Sequence, residues 1–428
     1  VDDYLKLRAA AEGELSSLVT AGEVDAEAVG DIDLDLATNY LSLKTTGVGV
    51  VNIEEADSLV VNSAEVADGG LGIFAEGDLR VNGLKAFGTG VIDLRANEGT
   101  LALGNIDAGS GNILRANASG NVTKWTGRVT AEVTEVTAGG SVVIDLAGGA
   151  LEVELLEAGD LIILSTGDLS VRKALLSKGS VNANVSGSLS VDGMELLSDN
   201  WIYLKASEEI LQGSISAGAK SGTVTLVTPT QISAIADAKR ISASEVVARA
   251  GGAVSLNIDA GSLSIETTAK GDVAVDAAGS LVIADGKLSR GNFLFSAEGD
   301  LEARKVFALA PGNDLRFVSS QGSIELGDVR AGFRSEVSAD AAKTIFMLEG
   351  GRVVADAVKA TAGRGLSLDL RAVSLEASVA KGDISVTEVD ALVVDKLHLA
   401  GSGVVKAGGD LTILEGTHSG RVSLLAES

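Results

Sequence analysis

The chain has 428 residues, of which 46% are hydrophobic but only 3% aromatic, with 53 Gly, 2 Pro and no Cys. Without cysteine there is no disulfide framework, no thiolate nucleophile, no thiolate metal site and no iron–sulfur ligation. The formal net charge of −25 at pH 7 repels nucleic acid and anionic membrane surfaces, and no stretch approaches the ~20 uninterrupted apolar residues of a spanning helix.

An interior of Val, Leu, Ile and Ala with few rings suits thin repeated layers of side chains better than one globular core. The glycine content lacks a collagen period and comes with too much aliphatic residue for a disordered linker. In chain order, Val1-Asp2-Asp3-Tyr4 has neither the basic start nor the apolar run of a signal peptide. The segment from Tyr4 to Leu15 has helical propensity. It aligns, however, with Trp201 to Ile210, and Gly13-Glu14-Leu15 takes the place of a Gly-Asp-Leu corner met repeatedly later. The expectation is therefore another coil, not a capping helix.

That recurring phrase organises the chain. It reads Ile73-Phe74-Ala75-Glu76-Gly77-Asp78-Leu79-Arg80-Val81 early on, and Phe293-Leu294-Phe295-Ser296-Ala297-Glu298-Gly299-Asp300-Leu301 later. It returns at Gly167-Asp168-Leu169, Gly187-Ser188-Leu189, Gly279-Ser280-Leu281, Gly322-Ser323-Ile324 and Gly382-Asp383-Ile384. Alternating apolar residues on either side predict short strands with one face inward. Glycine would permit the bend between strands, and the short Asp or Ser would bond the local backbone.

Separations near twenty residues match one coil of a parallel β-helix. The predicted fold is all-β: a single continuous β-solenoid over 1–428, with about twenty coils of roughly 20 residues, which at ~4.8 Å per step would measure roughly 90–100 Å. Neither terminus reads as capped: Val422 to Ser428 looks like the opening of a coil whose corner never arrives. The expectation is a piece of a longer chain or a unit that pairs end to end or side by side with copies of itself.

Two segments match closely. Val51 to Val61 parallels Ile384 to Val394, which aligns Glu55 and Asp57 with Glu388 and Asp390. These carboxylates read either as a shared outward corner or as a cation site completed by oxygens of neighbouring coils, so calcium is the one cofactor the sequence leaves open.

Phrases such as Leu103-Gly104-Asn105-Ile106-Asp107-Ala108-Gly109-Ser110-Gly111-Asn112-Ile113 and Gly409-Asp410-Leu411-Thr412-Ile413 resemble the repeats of filamentous-haemagglutinin-like bacterial exoproteins. These are large surface proteins of Gram-negative bacteria, and no amino-terminal secretion domain of that family is recognisable here. The resemblance implies a right-handed parallel β-helix at the cell surface or outside the cell, with adhesive or structural work and a host surface, neighbouring cell or glycan as partner.

Catalytic residues do not stand out. His398 sits outward in Leu397-His398-Leu399, and His418 in a Thr417-His418-Ser419-Gly420 turn, which reads as two solvated imidazoles, with a pair of metal ligands as the alternative. There is no G-x-S-x-G elbow before a helix, and Gly148-Gly149 and Gly251-Gly252 lack what a phosphate loop needs. A β-helical lyase or hydrolase would need a groove with carboxylates, cations and aromatic platforms. Phe293 and Phe295 occupy inward positions instead, the corners are short, and Thr223-Val224-Thr225 alone does not make an ice-binding ladder. The sequence therefore predicts a non-enzymatic extracellular structural or adhesive rod, contributing to a surface filament, sheath or adhesin stalk. A polysaccharide-binding or polysaccharide-degrading β-helix is the alternative.

Overall fold

Runs such as Leu71-Gly72-Ile73-Phe74-Ala75 place every second side chain on one face once extended, and Leu71, Ile73 and Ala75 are buried while Gly72 and Phe74 are not. The computed structural model of the chain describes residues 4–9, 15–218, 221–235 and 239–427. Among the described residues every regular element is a strand, and the strands stack in parallel as about 20 turns of a β-solenoid with roughly 20-residue spacing. The chain divides into two units, Val1–Glu208 with Ser214–Gly218, and Glu209–Gly213 with Ala219–Ser428.

In the first unit Val51–Glu55 pairs with Leu71–Ala75, and that strand with Val91–Ala96. Leu59–Val66 pairs with Leu79–Ala86, and that with the long strand Leu101–Ala118. Leu79, Val81, Leu84 and Ala86 point inward, and the break in alternation at Asn82-Gly83 marks a bend. A coil thus lays down three short runs separated by corners. Tyr4–Ala9 is a strand paired with Glu23–Ala28, as its alignment with Trp201–Ala206 predicts, while Gly13 lies outside the described residues.

In the second unit Val273–Ala277, Phe293–Ala297, Leu315–Ser319 and Glu336–Ala341 stack in turn. Phe293, Phe295 and Phe317 are its largest fully buried side chains, and the rings of Phe295 and Phe317 stack with centroids 5.8 Å apart. Val422–Ala426 pairs with Gly403–Ala407, which extends the solenoid through the last described strand.

The corners depart from expectation in an instructive way. Their Asp and Ser side chains bond the next coil instead of their own turn. Ser58 Oγ accepts the Asp78 N–H at 2.9 Å, and Asp78 Oδ1 accepts the Thr100 N–H at 2.7 Å. Asp168 does the same for Ser188, and in the second unit Ser280 serves Asp300 and Asp300 serves Ser323. Strand pairing satisfies the flat runs, whereas a corner exposes N–H groups that the sheet cannot reach, and these side chains supply their acceptors.

Glycine is there for space. A Cβ on Gly99 would lie 2.5 Å from Asp78 Oδ1, and one on Gly322 would lie 2.5 Å from Asp300 Oδ1. Neither glycine has a positive φ, although Gly382 of the same phrase does at 95°. The Gly-Asp phrase is thus two halves of one contact, with each Asp packed against the glycine of the following coil. Gly322→Ala is expected to press on the Gly299 backbone, also 2.5 Å away, as well as on Asp300, and to cost about 1–3 kcal/mol in the manner of overpacking. Gly279→Ala is the matched control, because a Cβ there meets nothing within 4 Å. Denaturant midpoints of the two variants check this, and equal midpoints would refute it.

Candidate functional site

The aligned carboxylates Glu55 and Glu388 face inward. Each ends a strand whose alternation puts the last residue inside, a place that Ala75 and Ala297 hold in other coils, and they are only 3% and 2% exposed. Glu55 Oε2 accepts the Thr38 N–H at 2.8 Å and its Oε1 the Asp57 N–H at 3.3 Å. Glu388 Oε2 accepts the Ala372 N–H at 2.8 Å, and its Oε1 accepts those of Val389 and Asp390 at 2.9 and 3.2 Å. The expectation of an outward corner fails at both glutamates. Their oxygens are turned to backbone donors, which leaves Asp57 and Asp390 without them as partners toward a cation. Burial pushes the Glu55 carboxyl above its ordinary 4.5, while the Thr38, Asp57 and Ala56 N–H groups pull against that shift.

His398 and His418 lie on adjacent coils, both exposed. His398 Nδ1 is 2.7 Å from Thr417 Oγ1, and His418 Nδ1 is 2.9 Å from the Gly420 carbonyl. Among the described residues no three His, Asp or Glu side chains are grouped to hold a metal ion.

A shallow groove of about 740 Å³ crosses the outer face of the second unit. The stacked strands build it directly, with Asp272, Asp314 and Glu336 along one edge and Arg316, Asp340 and Lys359 across the floor. Its acids serve the coils: Asp272 Oδ1 accepts the Asn292 N–H and Asp314 Oδ1 the Glu336 N–H, while Lys359 is ion-paired to Glu376 at 2.9 Å. No aromatic ring is exposed in it, since its one aromatic, Phe293, is buried. This groove was not legible beforehand, because it arises from side chains about twenty residues apart on successive coils.

On another stack of strands in the same unit, Leu301–Ala308 and Ile324–Ala331, Glu302 and Glu325 are register partners. Burial raises the Glu325 carboxyl above 4.5, with the Glu302 and Asp300 charges adding to the shift. A raised folded-state value means that this residue's contribution to stability is full below pH 4.5 and lost as pH rises through the folded value. Glu325→Gln is accordingly expected to stabilise the second unit at neutral pH and to change nothing below pH 4.5, as thermal melts across that range would register. A loss of stability at pH 7 would contradict the assignment.

Compared with known protein families, curated proteins and solved structures, the chain matches none.

Proposed function

We propose that the chain is a non-enzymatic, extracellular structural or adhesive element of a bacterial surface, part of a filament, sheath or stalk. The observation that carries this reading is the use made of the repeated phrase. Gly-Asp and Gly-Ser corners recur through both units, and their side chains bond the coil above. Selection for one chemical site would concentrate polar groups in one place, whereas here they are distributed along the stack, as repeat proteins require for nearest-neighbour stability. The outer charges follow the same logic: Lys44–Glu65, Arg352–Asp369 and Lys359–Glu376 are exposed ion pairs between coils, each worth little alone.

The resemblance to haemagglutinin-like repeats supports a surface location, and the acidic composition supports solubility outside the cell. Antibody labelling of intact producing cells, with electron microscopy of the purified chain, tests the proposal. Labelling without permeabilisation is expected, together with fibres or cell-bound material. Labelling only after permeabilisation would sink the location. Cleavage of acidic polysaccharides that disappears in Asp340→Asn would replace the structural role with an enzymatic one.

A further inference from the structure

One sheet face of the first unit carries both tryptophans of the chain, each about half exposed. Successive strands there are Val122–Lys124, Val142–Leu146, Leu161–Ser165, Val181–Val185 and Trp201–Ala206. Their register runs Val122↔Val142↔Leu161↔Val181↔Ile202. The outward row reads Thr123, Val143, Ile162, Asn182 and Tyr203, and Leu164, Asn184 and Lys205 lie beside it in the next row. Trp125 stands at one end, 50% exposed, and Trp201 at the other, 47% exposed. These are the only tryptophans in the chain.

Trp125 owes its place to the local chain path. The bend that links Val81 to Leu84 and Leu103 to Ile106 is longer between Lys124 and Val129, and Gly127 turns it with φ 77°. The added length carries Trp125 outward. Arg80 crosses the small Ala102 to lay its guanidinium 3.8 Å from the centre of the Trp125 ring, held by Asn82 Oδ1 at 2.7 Å. Lys124 and Arg128 both reach Asp145 from the same bend.

The local charge opposes that of the molecule. On the outward rows and the bend, Arg80, Lys124, Arg128 and Lys205 meet one acid, Asp145, whereas the other acids flank the strip at its corners, where Asp78 and Asp160 accept the Thr100 and Ser180 N–H groups and Glu208 accepts the Ser188 hydroxyl. Among the described residues Lys205 has no ion-pair partner. Against a net charge of −25, this cationic strip is out of keeping with a purely solvating surface. At physiological salt the screening length is about 8 Å, so a ligand at contact meets the strip and not the whole-molecule charge.

We infer that this face binds a linear polysaccharide bearing carboxylates, laid along the stack. From the Val122 strand to the Trp201 strand is about 19 Å at ~4.8 Å per step, a span suited to a short run of pyranose rings, since one step is close to one sugar in length. Trp201, Tyr203 and Trp125, one face of which Arg80 covers, offer apolar ring surface to pyranoses, Asn182 and Asn184 offer amides to hydroxyls, and the cations offer partners to carboxylates. An extended peptide lacks such a welcome: the sheet's backbone groups are already paired, so β-augmentation has nothing to bond. The apolar area is a narrow strip interrupted by the two asparagines, unlike the continuous core of a protein interface. The inference does not depend on how the solenoid is deployed outside the cell.

Both tryptophans lie on the strip, so intrinsic emission reports on this face alone. Titrating oligogalacturonate into the full chain at about 0.15 M salt is expected to give a saturable change in tryptophan emission, with none from dextran. Lys205→Glu should weaken binding about tenfold, equivalent to roughly 1.4 kcal/mol, with unchanged circular dichroism. Trp125→Ala combined with Trp201→Ala should abolish the heat of binding in calorimetry while the fold persists. No emission change with oligogalacturonate, an equal response to dextran, or unaltered affinity in both variants would overturn the inference.

Discussion

Phe317→Ala is expected to lower the stability of the second unit by about 3–5 kcal/mol, the usual cost of removing a buried aromatic side chain. Phe317 is fully buried and stacked on Phe295 of the preceding coil, with the two rings inclined by only 14°. The cavity cannot easily close, because the pairings Phe293↔Leu315 and Leu315↔Val337 hold the coil to its neighbours on both sides. Phe317→Leu, which keeps most of the volume, should cost less than about 1.5 kcal/mol. Hydrogen exchange resolves where the loss falls: protection should drop most at 293–319 and fade with distance along the stack, as nearest-neighbour coupling requires. A uniform loss across the unit would mean that its coils open together.

Glu388→Ala is expected to cost about 3 kcal/mol, because it strips the acceptor from one buried N–H donor, worth roughly 1–3 kcal/mol, and from two part-buried ones. Those donors belong to Ala372, Val389 and Asp390, so the change should loosen the coil below as well as its own corner. Glu388→Gln separates shape from chemistry. Its amide oxygen can still serve one donor, but its NH₂ group meets N–H groups that need an acceptor, so recovery should be partial. Full recovery by glutamine would show that filling the site matters more than accepting hydrogen bonds. Glu55→Ala should follow the same pattern in the first unit, through Thr38 and Asp57. Chemical denaturation followed by circular dichroism measures all three.

The inward Phe293 and Phe295, the outward His398 and the strand character of Tyr4–Ala9 are all predicted by alternation and alignment, and the structure agrees. Alternation works here because each strand has one wet face and one dry face, so its pattern reports burial directly. Glu55 and Glu388 obey the same alternation, yet their charge argues against it. A charged residue beside a corner reads as exposed, and the pattern does not disclose that a coil below offers backbone donors to a carboxylate turned inward. The corner aspartates depart from expectation for a related reason. An Asp next to Gly normally bonds its own turn, and nothing in Gly77-Asp78 says that the nearest needy N–H belongs to Thr100.

The tryptophan strip makes the point most sharply. Trp125 and Trp201 are far apart in the chain, and no motif links them. They share a face only because the pairings from Val122 to Ile202 keep register across the intervening coils. Period and polarity, which act between near neighbours, sufficed to define an all-β solenoid with roughly 20-residue coils. Which side chains meet across coils depends on the exact register and on every change in bend length, such as the longer path from Lys124 to Val129. Those are properties of the stacked chain: a shift of one residue in a single coil would turn Trp201 inward and Ile202 outward. The repeated Gly-Asp phrase therefore names the fold, and the coil-to-coil geometry alone decides what its surfaces can touch.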